Sequence, residues 1–328
     1  MHERLLALLP RLPLGRLAVV GDALLDEYLL GEATRLSREA PIPVLELRQR
    51  RALGGGAANP ALNAARLGAD VHLLAIVGRD GHAQTLRASL DVAGLRLHAV
   101  ESGARPTPHK LRILAHMGLR FPQQVARLDT LSRAPLDEDE TRAVLDAWQV
   151  VAPQVDALLC SDYGCGMLTP RLVDALRASA GSKLLTADAQ GALDKYQGFD
   201  LVKCNADDAR AALGQALCSD DDFAQAAQAL ARRLALRGAM VITRGADGAT
   251  LARVDGTVAH CPAPTIRDVY DTVGAGDTAI AVMTLALLAQ AEAAEAVTLA
   301  NYASGIVIQH VGNYAPSLEE LRAALTQG

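Results

Sequence analysis

The chain of 328 residues is half hydrophobic, only 3% aromatic, and carries a formal net charge of −5. This length and hydrophobic fraction favour one large α/β domain whose core is filled by aliphatic residues and alanine. Because no block of lysine or arginine stands out, the charge argues against nucleic acid as a main partner.

Two further features of the composition bear on location. The five cysteines form no C-x-x-C pair, which is typical of reduced thiols in the cytoplasm rather than of a disulfide framework or a zinc site. The longest apolar run, near 279–291, is about one third shorter than a bilayer span requires. We therefore expect a cytoplasmic protein without a membrane segment.

Predicted strands and helices alternate along almost the whole chain, which indicates one α/β domain over 1–328 with a central, mostly parallel sheet flanked by helices. The first strand, 17–20, ends just before Asp22, and Asp26 follows four residues later. Carboxylates at the end of a first parallel strand lie where open α/β sheets bind ligands. Ordinary turn chemistry explains Asp22 equally well.

A small β lid is predicted from two segments, about 32–51 and 95–127. The prolines of the first segment favour extended backbone, and its interleaved polar residues are typical of a small exposed sheet. In the second segment, Lys110 and Arg112 share one face of an extended stretch, which suits an anionic substrate group. A solvated lid edge, where lysine hinders edge pairing, is the alternative interpretation.

Gly54, Gly55 and Gly56 open a predicted helix that runs to Leu67. Three successive glycines are entropically costly unless the backbone must approach another group closely. The alternative is a flexible, solvated loop.

Polar residues follow several later strands. The strand over 157–160 ends at Ser161-Asp162-Tyr163, and a polar cluster at a carboxyl end marks the active-site side of the sheet. Cys165 is interpreted as a small buried residue rather than a reactive thiol. Asn205 ends a further strand, with Asp208 three residues later, and Gly245 and Gly248 follow the strand over 240–243. An Asp-Gly hairpin turn would also explain those last glycines.

The stretch from Asp268 to Thr278 is predicted as a strand end, a glycine turn and a helix start. Gly274 and Gly276 permit a tight turn, and the unpaired amides of the following helix favour a phosphate. Asp277 then suits a general base that takes a proton from an attacking hydroxyl. The alternative is that Asp277 merely caps the helix.

The Gly-Ala-Gly-Asp sequence, with Asp271 six residues before Asp277, resembles the ribokinase-like sugar kinases. The resemblance implies that Asp277 is the catalytic base and that the amides of Gly274, Ala275 and Gly276 form an anion hole for the transferred phosphoryl group. It implies ATP and Mg²⁺ as cofactors, and a monovalent cation such as K⁺. The implied cation loop comprises Asp271, Val273, Gly312 and Ser317.

The segment 37–44, the Lys110-x-Arg112 pair and Arg127-Leu-Asp129 are similar to those of heptose-7-phosphate kinases, including the kinase half of bifunctional ADP-heptose synthesis enzymes. The implied substrate contacts are Asp26, Gly55, Gly56, Asn59, Lys110, Arg112, Arg127 and Asp162. The implied nucleotide contacts are Asn205, Asp208, Thr243, Gly245, Gly248 and Asn301. The chain departs from the family at Cys165 and Gln190, where lysine or arginine is usual, and at Asp208, where glutamate is usual.

The sequence therefore predicts an ATP-dependent sugar kinase, with the anomeric hydroxyl of a heptose 7-phosphate as preferred acceptor. A kinase for another sugar or nucleoside, such as ribose or fructose, is the first alternative. A non-catalytic sugar- or nucleotide-binding protein is the second. A dinucleotide oxidoreductase is disfavoured because Gly21-Asp22-Ala23 stands where G-x-G-x-x-G would follow the first strand. Exposed lid strands would allow a homodimer.

Overall fold

The computed structural model describes residues 2–118, 122–266 and 268–327. The strands are β1 (Arg16–Gly21), β2 (Ala23–Leu36), β3 (Pro43–Gly56), β4 (Asp70–Gly78), β5 (Leu95–Ser102), β6 (His109–His116), β7 (Gln123–Thr130), β8 (Ala157–Asp162), β9 (Leu184–Ala189), β10 (Leu201–Asn205), β11 (Ala239–Thr243), β12 (Ala249–Arg253) and β13 (Val258–Cys261). The helices are α1 (His2–Leu8), α2 (Ala58–Arg66), α3 (Gly81–Ser89), α4 (Glu138–Val151), α5 (Pro170–Ser179), α6 (Ala206–Leu213), α7 (Asp220–Arg233), α8 (Ala275–Leu288), α9 (Ala293–Val307) and α10 (Leu318–Gln327).

Nine strands form a large sheet in the order β13-β12-β11-β10-β9-β8-β1-β4-β5. The pairs from β11 to β5 are parallel, whereas β12 and β13 join as antiparallel strands. Apolar side chains cover both faces, in one core with α2, α8 and α9 and a second with α4, α5 and α7. The predicted mostly parallel sheet flanked by helices is confirmed, and its carboxyl ends share one edge.

A second sheet of four strands has the order β3-β2-β6-β7, and we call it the small sheet. The chain passes from the large to the small sheet at Asp22, whose N–H donates to Ser161 O (3.2 Å) and whose carbonyl accepts from Ala57 N (3.0 Å). The small sheet is therefore attached directly beside the carboxyl ends of β1 and β8.

The boundaries of the small sheet differ from the sequence prediction. Residues 95–102, assigned to the lid, form β5 and pair in parallel with β4 at the edge of the large sheet. An edge strand is only half-buried, so it shows the same apolar–polar alternation as a lid strand. Conversely, the small sheet includes Gly54–Gly56, which end β3 rather than begin a helix. The division into domains and the action of the small sheet as a lid stay predictions.

Local sequence explains the helix starts. Helix α4 begins after Asp137, and Asp137 and Glu140 form a reciprocal capping box at its first turn. Helix α8 is apolar nearly all round, and every residue from Asp277 to Ala286 is buried, as expected for a helix in the middle of a core. Residues 268–273 lie in a loop rather than in the predicted strand. Within the described ranges, no helix combines the length and apolar composition needed to cross a bilayer.

Candidate active site

Asp277 lies in the first turn of α8 and is only 5% exposed. Its Oδ2 accepts a hydrogen bond from Asn59 Nδ2 of α2 (2.8 Å), and its Oδ1 accepts one from the hydroxyl of Tyr163, which follows β8. Three separate elements thus fix the orientation of one buried carboxylate. One sequence-predicted pair, Asn59 and Asp277, is brought into direct contact.

Burial raises the pKa of Asp277 to about 7, and the nearby carboxyl group of Asp188 adds to this effect. The hydrogen bonds from Tyr163 and Asn59 and the charge of Lys203 act in the opposite direction. A carboxylate with a pKa near neutrality is suited to accept a proton during turnover and to release it afterwards.

The start of α8 is electropositive. Gly274 precedes the helix in the left-handed region (φ 83°), and a Cβ there would lie 2.8 Å from Asn59 Nδ2. A Cβ on Gly276 would lie 2.9 Å from Lys203 Nζ, so the ammonium group reaches the first turn of the helix. Lys203 is buried and paired with Asp188 (2.7 Å). The helix dipole and this cation together favour a phosphate group beside Asp277.

The amide of Ala275 in this turn is only weakly hydrogen-bonded. Ala275 N–H donates a long hydrogen bond (3.4 Å) to the carbonyl of Thr272. The Ala275 carbonyl in turn accepts from the hydroxyl of Ser304 on α9 (2.9 Å). An anion bound at the predicted hole would compete with the weak Thr272 contact.

Asp26, on β2, lies at the centre of a polar cluster next to this turn. Its Oδ1 accepts from Arg112 Nη1 (2.5 Å) and its Oδ2 from Asn313 Nδ2 (2.8 Å). A Cβ on Gly55 would lie 2.0 Å from Asp26 Oδ2, and one on Gly56 would lie 2.2 Å from a backbone oxygen. Gly55 is therefore required where β3 passes the Asp26 carboxylate, and Gly56 where β3 passes the backbone of Asp22.

The cations of the small sheet share one face. Lys110 is opposite Asp26 on β2, and Arg112 is opposite Arg127 on β7, so their side chains project to the same side. The Lys110 ammonium lies 5.3 Å from the ring centre of Tyr163. Arg127 is paired with Asp129 (2.9 Å) at the exposed edge. The structure thus brings Lys110 close to the residue that contacts Asp277.

The structure gives Asp162 different contacts from those of a substrate ligand. Asp162 is only 2% exposed, and its carboxylate accepts hydrogen bonds from Lys195, Tyr196 (2.6 Å) and the N–H of Gly164 (3.0 Å). These donors hold Asp162 inside the protein below the polar loop. Asp162 as a substrate contact stays a prediction, and the residue after it, Tyr163, is the one that reaches Asp277.

The interpretation of Cys165 as a small buried residue agrees with the structure. Its side chain is buried, and burial, aided by the charge of Asp22, raises the pKa of the thiol to about 11. A thiol with so high a pKa is a poor nucleophile at neutral pH.

Several predicted nucleotide contacts line one cavity of about 610 Å³ at the ends of β10 and β11. Its lining includes Asn205, Thr243 and Gly245. Asn205 caps α6 by accepting from Asp208 N (2.8 Å). Asp208 Oδ1 accepts from Gly191 N (3.1 Å), whereas its Oδ2 is buried and makes no hydrogen bond within the described part of the chain. Burial raises the pKa of Asp208.

Gly248 and Asn301 do not line this cavity; both lie next to the carbonyl of Cys261 at the end of β13. Asn301 Nδ2 donates to the carbonyls of Cys261 (2.8 Å) and Pro262 (3.2 Å). A Cβ on Gly248, where φ is 78°, would lie 2.1 Å from the same Cys261 oxygen. In this structure both residues shape the chain between β13 and α8.

The predicted cation loop is only partly assembled around Asp271. Its two carboxylate oxygens accept from Val273 N (3.0 Å) and Gly312 N (2.9 Å). Ser317 instead caps α10, because its hydroxyl accepts from Glu320 N (3.2 Å) and its carbonyl accepts from Leu321 N (3.0 Å). No cluster of three His, Cys, Asp or Glu side chains suited to a metal occurs among residues 2–118, 122–266 and 268–327.

Comparison with known proteins gives the family of the chain. Residues 15–321 match the profile of the pfkB family of carbohydrate kinases. The chain belongs to this family. It is 38% identical over 319 residues to the bifunctional protein HldE of Pseudomonas paraeruginosa, and 38% identical over 325 residues to that of Methylococcus capsulatus. Each alignment covers 97% of the chain, which spans 65% of the length of these relatives.

Solved structures have the same fold as this pfkB-family chain. Arabidopsis thaliana ribokinase complexed with ribose and ATP superposes with a TM-score of 0.73 at 18% identity, over 95% of this chain and 98% of the other. Escherichia coli phosphofructokinase-2 in complex with substrates and products gives 0.78 at 20% identity, over 95% and 99%. The predicted ribokinase-like fold is confirmed.

Three side chains of this pfkB-family site were missed from sequence. Lys203 interrupts an apolar strand, and a lysine at such a position is rarely buried without a partner. Its position in the sequence therefore indicates a buried ion pair. Tyr163 directly follows Asp162, which is one of the predicted substrate contacts. Asn313 contacts Asp26 and donates to Gly54 O (3.0 Å), but it lies 287 positions from Asp26 and no local pattern indicates that contact.

Proposed function

We propose that the protein is an ATP-dependent sugar kinase that transfers the γ-phosphoryl group to a sugar hydroxyl. The observation that carries this proposal is Asp277, a buried carboxylate with a pKa of about 7 in the first turn of an electropositive helix start. A protein that only binds sugar has no need of a base beside an anion site. Membership in the pfkB family supports the same activity.

In the proposed reaction, the sugar hydroxyl gives its proton to Asp277 while its oxygen forms a bond to the γ-phosphorus of ATP. The bond from the γ-phosphorus to the bridging oxygen breaks, and ADP leaves with that electron pair. The helix start and Lys203 stabilise the negative charge on the transferred group. Asp277 releases its proton to solvent when the product leaves.

Two cations are proposed as cofactors. Mg²⁺, when bound, neutralises phosphate charge, and the unpartnered buried Oδ2 of Asp208 supports a site near Asn205 and Asp208, since Mg²⁺ keeps several waters and needs few protein ligands. K⁺ is proposed at the loop of Asp271, Val273 and Gly312, where a carboxylate and main-chain groups are close together.

The proposed acceptor is the anomeric hydroxyl of a heptose 7-phosphate. Lys110, Arg112 and Arg127 on one face of the small sheet support an acceptor that carries an anionic group. The similarity to HldE supports the same class. Arg112 and Arg127 are already paired with carboxylates, so a kinase for an unphosphorylated sugar is the second candidate.

We also propose a cytoplasmic homodimer. Every residue of β7 is exposed, including Leu128 at 55%, and Leu47 on the opposite edge strand is 61% exposed. Unpaired edge strands with apolar side chains favour pairing with another copy. The cysteines are all free thiols, which supports a reducing compartment. Sedimentation at micromolar concentration that shows only monomer would remove the dimer proposal.

The test is ADP release from ATP with Mg²⁺ and K⁺ against a panel of sugars with and without phosphate groups. Turnover only with heptose 7-phosphate, lost in Lys110→Ala, supports the proposed acceptor. Turnover with an unphosphorylated sugar keeps the kinase and rejects the heptose phosphate. Calorimetric binding of sugar without any ADP release would reject the kinase in favour of a binding protein.

A further inference from the structure

Tyr163 contacts both halves of the candidate site. Its hydroxyl donates to Oδ1 of Asp277 on α8. The face of its ring carries the ammonium of Lys110 on β6, 5.3 Å from the ring centre. One side chain therefore lies between the base on α8 and the cation on the small sheet.

The loop that carries Tyr163 is held tightly. The buried carboxylate of Asp22 accepts hydrogen bonds from the N–H groups of Tyr163 (3.0 Å), Cys165 (3.0 Å) and Met167 (3.2 Å). Gly166 has φ 88°, and a Cβ there would lie 2.0 Å from a backbone oxygen. Because the loop backbone is fixed by these contacts, the hydroxyl of Tyr163 meets Asp277 at a defined position.

Tyr163 is a hydrogen-bond donor throughout the working pH range. Burial and the charge of Asp277 raise its pKa well above 10, so the phenol keeps its proton. Its hydrogen bond stabilises the Asp277 carboxylate, as do Asn59 on α2 and Lys203 on β10, whereas burial and Asp188 on β9 favour the protonated acid.

We propose that Tyr163 is a positioning residue that couples recognition of an anionic group on the sugar to the catalytic base. Its hydroxyl orients Asp277, and its ring holds Lys110 on the same side, where that ammonium can meet the anionic group. The inference rests on the proposed function, because it assigns a further role within that site. Tyr163 itself transfers no proton, since its pKa lies far above that of Asp277.

The two contacts of Tyr163 can be separated by substitution. Tyr163→Phe removes the hydroxyl and keeps the ring, so kcat should fall roughly 10- to 100-fold, with little change in the sugar KM, because the base is no longer oriented. The acid limb of its kcat–pH profile should move to higher pH, because the ionised form of Asp277 loses a donor. Tyr163→Leu should in addition lose the preference for a phosphorylated sugar, as Lys110→Ala should without moving the acid limb.

The experiment measures kcat and KM for ADP release between pH 5.5 and 9, with heptose 7-phosphate and with the unphosphorylated sugars of the panel. Tyr302→Phe is the matched control, since its hydroxyl contacts His2 (2.9 Å) on the N-terminal helix. A Tyr163→Phe variant with normal kcat and an unmoved acid limb overturns the proposal. A Tyr163→Phe variant whose only change is a lower sugar KM also overturns the proposal, because the Tyr163 hydroxyl would then compete with the substrate.

Thermal unfolding gives a second readout that needs no turnover. If the Tyr163 hydroxyl stabilises the ionised Asp277, Tyr163→Phe should lower Tm more at pH 8 than at pH 5.5, where Asp277 is mostly protonated. An equal loss at both pH values overturns the coupling. Absence of ADP release by the wild type would reject the proposed kinase, and the unfolding measurement would still decide whether Tyr163 acts on Asp277.

Discussion

Replacing Asp277 by asparagine should lower activity and raise stability at the same time. Asparagine has the shape of aspartate: its amide oxygen can still accept from Asn59, and its amide nitrogen can donate to the Tyr163 oxygen, but it accepts no proton. We expect kcat to fall by about two to four orders of magnitude, while the fold is retained.

The stability change follows from the raised pKa of the buried group. The pKa is about 7 in the folded protein against a reference of 3.8, a difference of about three. At 1.36 kcal/mol per pKa unit, ionising Asp277 inside the protein costs about 4 kcal/mol at pH 8. Because the folded pKa is the higher one, stability is fully present below the unfolded pKa and is lost as pH rises through the folded pKa. Asp277→Asn removes this loss.

The assay is thermal or urea unfolding of both proteins without ligands at pH 8 and pH 5.5. The advantage of the variant should be about 2 kcal/mol smaller at pH 5.5, because the wild-type carboxyl is then mostly neutral. Asp162→Asn is the contrasting variant: it leaves Lys195, whose side chain is 13% exposed, without its charged partner, so it should destabilise by about 3 kcal/mol. If Asp277→Asn lowers stability equally at both pH values, Asp277 is not a strained buried acid and the pH argument for the base fails.

Three further substitutions test the surroundings. Gly55→Ala places a Cβ 2.0 Å from Asp26 Oδ2, so the sugar KM should rise at least roughly tenfold with an unchanged KM for ATP; a normal sugar KM would remove Asp26 from the site. Asp271→Ala removes the acceptor of Gly312 N and should abolish any dependence of the rate on KCl, which titration with KCl checks. Asn313→Ala should cost about 1–2 kcal/mol of stability and raise the sugar KM; an unaltered KM would make the residue purely structural.

The parts predicted well from sequence are those fixed by local rules. The glycine turn and helix start around Asp277 follow from backbone sterics and helix ends, which act over a few residues. The alternation of strands and helices likewise constrains the sheet. Local rules do not decide which sheet a half-buried strand joins. The prediction that β5 belongs to the lid is therefore wrong, since β5 pairs with β4 in the large sheet.

Contacts between distant segments could not be predicted by the same means. Asp162 and Tyr163 are adjacent in the sequence. The sequence does not tell which of the two side chains contacts Lys195 and Tyr196 and which contacts Asp277. The choice follows from the fold, because Asp22 binds the loop backbone and turns Tyr163 towards Asp277. The contact of Asn313 with Asp26 likewise requires that the end of the chain return to the beginning of the small sheet.

Chemistry and selectivity are located on different elements of this protein. The base belongs to α8, whose position is fixed by the core of the large sheet, whereas the cations belong to β6 and β7 of the small sheet, which are far less buried. Among the polar residues of the site, Asp26 is held by Arg112 and Asn313, and Tyr163 lies beneath Lys110 while it contacts Asp277. Changes to Lys110 or Arg127 should therefore alter which sugar is accepted without moving Asp277. Changes to Asp26, or loss of both the ring and the hydroxyl of Tyr163, should alter selectivity and rate together.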